Sequence, residues 1–212
     1  MLNQIKLLFI ALLCFPGLML AIDDVGFLNI VNGTDREIKI TADAKDIVPS
    51  LAAGAMTGGL VLPVGSVRVR AEVEGLKDKF SLIVISKDSS LLAIVTLTKS
   101  IENPDDDVLS IRGIPYRATS SGGYSAGVVY AGGANACEIQ IGEKSVSLKK
   151  YEYVDLGSVS PTFSFKKSDG LSFEAEFGER LHYTLFLLDG KRNSKANVLV
   201  VPNVAFSVPT FD

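Results

Sequence analysis

The sequence predicts an all-β protein with two tandem, immunoglobulin-like antiparallel β-sandwich domains that are related by an internal repeat and follow a signal peptide. Three observations lead to this prediction. Short segments alternate apolar and polar residues, turn-forming dipeptides separate those segments at intervals of roughly ten residues, and the pattern of the first half recurs in the second. Evenly spaced short strands of this kind are typical of a sandwich.

The alternation is clearest in residues 66–73. Val67 and Val69 would point into a core while Arg68 and Arg70 face water. Successive side chains of a strand point to opposite faces, so this period of two indicates a strand with one buried face. Hydrophobic residues make up 47% of the chain, which is ample for burying one face of every strand.

Turn-forming residues separate the strand-like segments. Gly and Pro end strands, and Asn-Gly and Asp-Gly favour tight hairpins. The one window with helical composition, residues 41–57, contains Pro49 and Gly54, so we expect a crossing connection there with at most one helical turn. The turn signals are Asn32-Gly33, Gly58-Gly59, Pro63-Val64-Gly65, Asp169-Gly170 and Asp189-Gly190.

The two halves of the chain repeat one pattern in the same order. The matching segments are 26–30 with 127–131, 37–40 with 138–141, 66–73 with 170–177, and 80–85 with 183–188. In this alignment Gly127 is the counterpart of Gly26. Duplication explains such a repeat, so we predict domain 1 at residues 22–99, an interdomain connection at 100–124 and domain 2 at 125–212.

The amino terminus has the layout of a secretory signal peptide. Lys6 precedes an apolar run that ends near Ala21, and an acidic pair follows. A Pro-Gly pair interrupts the run, which is shorter than the about 20 residues that span a bilayer. We therefore predict a signal peptide at residues 1–21 and a periplasmic or secreted protein. Lipidation of Cys14 is the lesser alternative, because Leu13 stands where lipoprotein signals carry a small residue.

Composition argues against several classes of function. The formal net charge is −3 and no basic cluster occurs, which disfavours nucleic acid and anionic membranes as partners. Only Cys137 would remain after signal cleavage, so no intramolecular disulfide is expected. With one histidine in the chain, we predict no metal-binding residue, no cofactor-binding residue and no cofactor. Cys137 shares strand parity with Ile139 and Ile141, as a buried apolar residue would.

The predicted connection begins with three consecutive aspartates, residues 105–107, and ends in a Ser- and Gly-rich run. The aspartates lack the alternating oxygen ligands of a calcium loop, so a solvated acidic turn is favoured. Residues 108–117 are apolar enough to lie along one domain as an extra strand.

Residues 123–127 (GYSAG) match the G-x-S-x-G nucleophile elbow, and Asp155 or Asp169 and then His182 follow in hydrolase order. An elbow joins a strand to a helix, however, whereas Ser125 enters a predicted strand. His182 lies within another strand, on the face away from its apolar neighbours, where a structural or solvent-facing role is expected. We therefore predict no catalytic residue and retain a serine esterase or acyltransferase using Ser125 as an alternative.

Two further motifs are explained by turns. Residues 142–145 (GEKS) are similar to the end of a phosphate-binding loop, but Glu143 separates the glycine from the lysine, so we expect a tight hairpin turn. Residues 32–34 (NGT) form a glycosylation sequon, and Asn-Gly is also the favoured hairpin dipeptide, which is sufficient reason for its presence.

Four segments of the first domain carry a resemblance to a known family: 29–32 (NIVN), 36–38 (REI), 46–49 (DIVP) and 62–65 (LPVG). In these the chain resembles the periplasmic alginate O-acetylation accessory proteins, the AlgF family, and related secreted tandem β-sandwich domains of unknown function. The second domain follows through the repeat but lacks the LPxG element. The resemblance implies tandem sandwiches that contact partner proteins and polymer in the exopolysaccharide machinery, without known catalytic residues.

The sequence thus predicts an exported, non-enzymatic accessory protein that assists O-acetylation or export of an alginate-like secreted polysaccharide. Its expected partners are a cell-envelope protein, the polysaccharide, or both. A structural component of a cell-surface assembly is a further alternative. Tyr116, Tyr124, Tyr130, Tyr151 and Tyr153 would suit sugar stacking if exposed, although aromatic residues of β proteins more often belong to the core.

Overall fold

The computed structural model describes residues 24–100, 102–103, 105–115, 122–192 and 195–203, and the predicted signal peptide, Cys14 and Tyr116 lie outside them. All regular elements in these ranges are β-strands, so the prediction of an all-β chain is confirmed. Within the same ranges, no helix is long and apolar enough to cross a membrane.

The first sandwich consists of two four-stranded sheets with the strand orders β4-β1-β7-β8 and β3-β2-β5-β6. The strands are β1 (Val25–Asn32), β2 (Ile38–Ala42), β3 (Lys45–Leu51), β4 (Leu60–Pro63), β5 (Gly65–Glu72), β6 (Lys79–Ile85), β7 (Ser90–Lys99) and β8 (Asp107–Pro115). The apolar segment expected to lie along one domain forms β8, which pairs antiparallel with β7 along its whole length.

The second sandwich has the sheets β12-β9-β15-β16 and β11-β10-β13-β14. Its strands are β9 (Ser125–Tyr130), β10 (Ala136–Ile141), β11 (Lys144–Lys149), β12 (Tyr153–Ser158), β13 (Thr162–Lys167), β14 (Ser172–Glu176), β15 (His182–Arg192) and β16 (Lys195–Asn203). A single residue pair, Ser172 with Lys195, links β14 to β16. The two sheets therefore join at one edge into a continuous run of eight strands.

The two sandwiches repeat each other strand for strand, which confirms the internal repeat. Each strand of β1–β8 has its counterpart eight strands later, with the same neighbours and the same relative directions. The equivalences of β1 with β9 and of β2 with β10 are as predicted. The two later equivalences are wrong by one strand, because β5 corresponds to β13 and β6 to β14. Neighbouring strands share the same period of two, so alternation alone does not distinguish them.

Most strand pairs are antiparallel, as predicted, but each sandwich also has a long parallel pair, β1 with β7 and β9 with β15. The described part of the second sandwich has two further parallel contacts, β14 with β16 and the bridge of Tyr130 with Lys150. The sequence did not predict these parallel pairs. The paired strands are separated by the strands of the opposite sheet, so no local turn signal marks them.

We predicted a crossing connection at residues 41–57, and this prediction is wrong. The window contains a hairpin of β2 and β3. Asp43 and Ala44 form the loop with φ angles of 45° and 66°, which is the backbone of a two-residue type I′ turn. Pro49 is tolerated within β3 because this strand lies at the edge of its sheet.

The NGT and GEKS turns differ in kind. Asn32 ends β1 and begins a crossing to the other sheet, so the expected hairpin is not formed there. The buried Asn32 side chain donates to the carbonyls of Arg36 (2.7 Å) and Leu51 (2.9 Å) and accepts from the Thr34 amide (3.0 Å). The expected hairpin at residues 142–145 is confirmed, with Gly142 at φ 58° between β10 and β11.

Three apolar layers hold the four sheets in a stack. One lies inside each sandwich, and the third lies between them, where the sheets containing β1 and β9 face each other. The third layer includes Val31, Leu92 and Ile94 from the first sandwich and Val129 and Phe186 from the second. The central strands β1, β7, β9 and β15 are therefore buried on both faces over most of their length and are rich in aliphatic residues.

Truncation of the middle layer should destabilise the whole protein. Phe186 is fully buried there, so Phe186→Ala should lower the free energy of unfolding by about 3–5 kcal/mol, measured by urea denaturation. Phe80→Ala is the matched control, since Phe80 is exposed, and it should cost less than about 1 kcal/mol. If the two substitutions lowered the free energy of unfolding equally, the layer between the sandwiches would not be a main source of stability.

Candidate functional site

The single histidine of the chain is the centre of a polar cluster at the beginning of β9 and β15. Ser125 and His182 are ladder partners on these parallel strands, and Ser125 Oγ lies 2.9 Å from His182 Nδ1. Tyr153, at the start of β12, places its hydroxyl 2.5 Å from His182 Nε2. The sequence motif and its hydrolase order thus do bring Ser125 and His182 into contact.

Gly127 makes this cluster sterically feasible. A Cβ atom at Gly127 would overlap the hydroxyl and ring of Tyr153, which crosses β9 to reach His182. The predicted equivalence of Gly127 with Gly26 is wrong by one residue. Leu28 and Val128 both point into their own sandwich, and both pair with an inward-facing leucine of the neighbouring parallel strand. Gly127 therefore stands at the position of Phe27, on the opposite face of the strand from Gly26.

His182 is only 1% exposed, so a solvent-facing role is excluded and a structural hydrogen-bonding role remains. Asp155 Oδ1 accepts from the amide of Gly157 (2.8 Å), and Asp169 Oδ1 accepts from that of Leu171 (3.1 Å), so each supports a local turn. In a hydrolase triad a carboxylate orients the imidazole through the ring nitrogen that faces away from the serine. Here the Tyr153 hydroxyl occupies that place.

The tautomer of the imidazole determines what this cluster can do. A neutral imidazole donates through one nitrogen and accepts through the other. If Nδ1 accepts from Ser125, the hydroxyl is polarised as a nucleophile; if Nε2 accepts from Tyr153, Nδ1 donates to Ser125 and the hydroxyl is a passive acceptor. The Ser125 amide donates to Leu181 O at 3.2 Å, so it is occupied within the sheet rather than directed at a substrate.

A methyl group at Gly127 should break the cluster. We expect Gly127→Ala to displace Tyr153 from His182 and to cost about 1–3 kcal/mol through overpacking. Because the chain has one histidine, the imidazole nitrogen resonances in a ¹⁵N NMR spectrum report the loss directly. Gly113→Ala is the control, since this strand glycine has open space around its Cβ position. Unchanged imidazole resonances in Gly127→Ala would show that Tyr153 does not set the state of the ring.

A second polar cluster lies at the opposite end of the β9–β15 pair. The buried Tyr130 hydroxyl donates to Asp189 Oδ1 at 2.9 Å, and Lys167 Nζ lies 3.1 Å from Asp169 and 3.8 Å from Asp189. Burial and the hydrogen bond to Asp189 raise the pKa of Tyr130 to about 12. The phenol therefore stays protonated and donates a hydrogen bond that links the end of β9 to Asp189 on β15. The sequence did not predict this cluster, because its members are far apart in the chain.

Cys137 is half-buried and packs against the core of the second sandwich. Burial raises the pKa of its thiol to about 11. Since the thiolate is the reactive form, the side chain is a poor nucleophile at neutral pH. This agrees with the prediction of a small apolar residue on the strand face of Ile139.

The described tyrosines that we considered for sugar stacking do not present their rings to solvent. Tyr130 is buried, while Tyr124, Tyr151 and Tyr153 are partly buried and pack against the apolar clusters. Tyr151 lies between the sandwiches, where its hydroxyl is 3.1 Å from Thr96 Oγ1 of the first. These aromatic residues therefore serve packing.

The acidic turn before β8 is held by its own backbone. The Ser100 amide donates to Asp106 O (2.9 Å), and Lys99 Nζ pairs with the Asp107 carboxylate (3.0 Å). Nowhere in the described ranges do three or more His, Cys, Asp or Glu side chains form a group that could hold a metal ion.

Next to this turn a cleft of about 500 Å³ opens between the two sandwiches. Most of its polar side chains are already engaged within the protein. Asn32 and Thr34 bond to each other and to backbone, Lys99 pairs with Asp107, and Asp189 accepts from Tyr130. The cleft is therefore mainly a gap at the contact between the two sandwiches, and most of its polar groups are bonded within the protein.

An apolar stripe is exposed on the outer face of β6. It consists of Phe80, Leu82 and Val84, which are 52%, 66% and 64% exposed. Arg68 on β5 stacks over the Phe80 ring at 3.9 Å. Among the described residues β6 forms ladder pairs only with β5, and β8 of the facing sheet lies close to β6.

Comparison with known proteins adds no assignment, since no protein-family model matches the chain and no curated protein is significantly similar to it.

Proposed function

We propose that the chain is an exported accessory protein that acts by binding a cell-envelope protein, a secreted polysaccharide, or both, without catalysing a reaction. Its resemblance to the AlgF family supports a role in O-acetylation or export of an alginate-like polymer. The observation that carries the proposal is the exposed stripe of Phe80, Leu82 and Val84 on a rigid scaffold. Large apolar side chains grouped at a surface favour a protein partner.

The stripe suits a partner that packs against the outer face of β6. Phe80, Leu82 and Val84 occupy alternate positions of the strand, so all three side chains can contact one apolar surface. Arg68 adds a cation beside the stripe and forms no ion pair with any described residue. The partner surface would therefore combine apolar side chains with a carboxylate.

A charge within the stripe should prevent this contact. We expect Leu82→Glu to lower recovery of a crosslinked envelope partner by about tenfold, the equivalent of about 1.4 kcal/mol, in pulldowns from cells that express the full chain. Val61→Glu is the matched control, because Val61 is 58% exposed on a different edge strand. Equal losses in the two variants, or no specific partner and no glycan for the wild type, would contradict the proposal.

The second candidate function is acyl transfer from Ser125, which the 2.9 Å contact with His182 favours. Under our proposal, wild type and Ser125→Ala release nitrophenol from p-nitrophenyl acetate at the same rate, because the imidazole serves packing. Ser164→Ala, at an exposed position on β13, controls for nonspecific effects of losing a hydroxyl. A rate that falls more than about tenfold in Ser125→Ala alone would establish the serine as a nucleophile and replace our proposal with an acyltransferase or esterase.

A further inference from the structure

The junction between β10 and β13 in the outer sheet of the second sandwich, which we call the seam, has a shorter ladder than its counterpart in the first. In the first sandwich, β2 and β5 pair through four residues, Lys39 to Ala42. In the second, the ladder has two pairs, Ile139 with Lys167 and Gln140 with Lys166, and the Ser168 amide donates to Glu138 O (2.9 Å) next to them. Ile141, the last residue of β10, has no ladder partner on β13.

Two cavities flank this seam on the same outer face. One of about 490 Å³ lies toward Gly142, and one of about 250 Å³ lies toward Gly170. Gln140 and Lys166 line both, so the cavities form one groove that crosses the strands; we call it the seam groove. The rings of Phe165 and Phe173, whose centroids are 5.1 Å apart, lie on the inner face of the same strands and pack in the core beneath the larger part of the groove.

The polar side chains that line the larger part of the seam groove are available to a ligand. No hydrogen bond or ion pair within the described chain engages the side chains of Gln140, Ser164, Lys166, Ser172 or Glu174, which all line the larger cavity. In the cleft between the sandwiches, by contrast, most of the polar side chains are bonded within the protein. Amide, hydroxyl, ammonium and carboxylate groups together offer both donors and acceptors.

We propose that the seam groove binds an uncharged, hydroxyl-rich oligosaccharide. The charges of Lys166 and Glu174 offset each other, and the chain as a whole is acidic, so a polyuronate gains no net electrostatic attraction there. Sugar hydroxyls both donate and accept, which matches the mixed polar lining of the groove. This inference rests on the proposed binding function and assigns it a ligand class that differs from the polyuronate implied by the family resemblance.

The test is calorimetric titration of the full exported chain with three hexasaccharides: an uncharged mannohexaose, hexamannuronate, and a glucosamine hexamer. We expect mannohexaose to bind best, with an affinity that changes less than about twofold between about 50 and 500 mM salt because no charge is involved. Ser164→Tyr should fill the groove and weaken this binding by at least about tenfold. Thr162→Tyr lies on the same strand and face outside the groove lining, and should leave the affinity within about twofold.

Three outcomes would overturn the inference: no binding of mannohexaose, tighter salt-sensitive binding of either charged hexamer, or equal binding by wild type and Ser164→Tyr. These outcomes leave the proposed function intact as long as a partner is still captured through the β6 stripe. If the wild type captures no partner and no hexasaccharide, both the inference and the proposed function fail. Circular dichroism on both tyrosine variants establishes that an affinity loss is not a loss of fold.

Discussion

The apolar layer between the two sandwiches is the constraint on which the rest of this structure depends. Two sandwiches that met only through a linker would each keep two solvated faces. Here the sheets containing β1 and β9 bury their second faces against each other, and Ile94 and Phe186 are fully buried between them. Because the inner sheets have no free face, the solvent-facing surfaces are the two outer sheets, the strand edges and the ends of the stack.

Duplication has produced outer sheets with the same topology and different surfaces. The first displays the apolar stripe beside Arg68, and its β2–β5 ladder has four residue pairs. The second has charged and uncharged polar side chains, among them Gln140, Lys166 and Glu174, and a β10–β13 ladder of two pairs. Inner faces are held to apolar residues by packing, whereas outer faces tolerate substitution at little energetic cost. The outer faces of the two copies therefore differ while their inner faces stay apolar.

Sequence patterns predicted the strands and their buried faces, which depend on local periodicity. They did not predict which distant strands pair or in which register. The inward positions of β5, Val67 and Val69, follow from alternation and are buried as expected. The parallel pairing of β9 with β15 depends on contacts between residues far apart in the chain, which no local pattern records. That pairing places His182 beside Ser125, so the cluster was visible as a motif while its geometry was not. The seam groove was missed for the same reason, since it arises from a shortened ladder.

The polar cluster at Ser125 can be explained by the cost of burial alone. An imidazole placed at the end of an apolar layer loses its hydration, and an unsatisfied buried nitrogen would cost about 1–3 kcal/mol. Ser125 and Tyr153 satisfy both nitrogens, and Gly127 leaves the space that Tyr153 needs. Each residue of the G-x-S-x-G pattern that contacts this ring thus has a packing reason to be there. An acyl-transfer site would also require donors for a developing oxyanion, and the amide of Ser125 already donates to the sheet. Burial therefore gives a sufficient physical reason for the contact between the serine and the histidine.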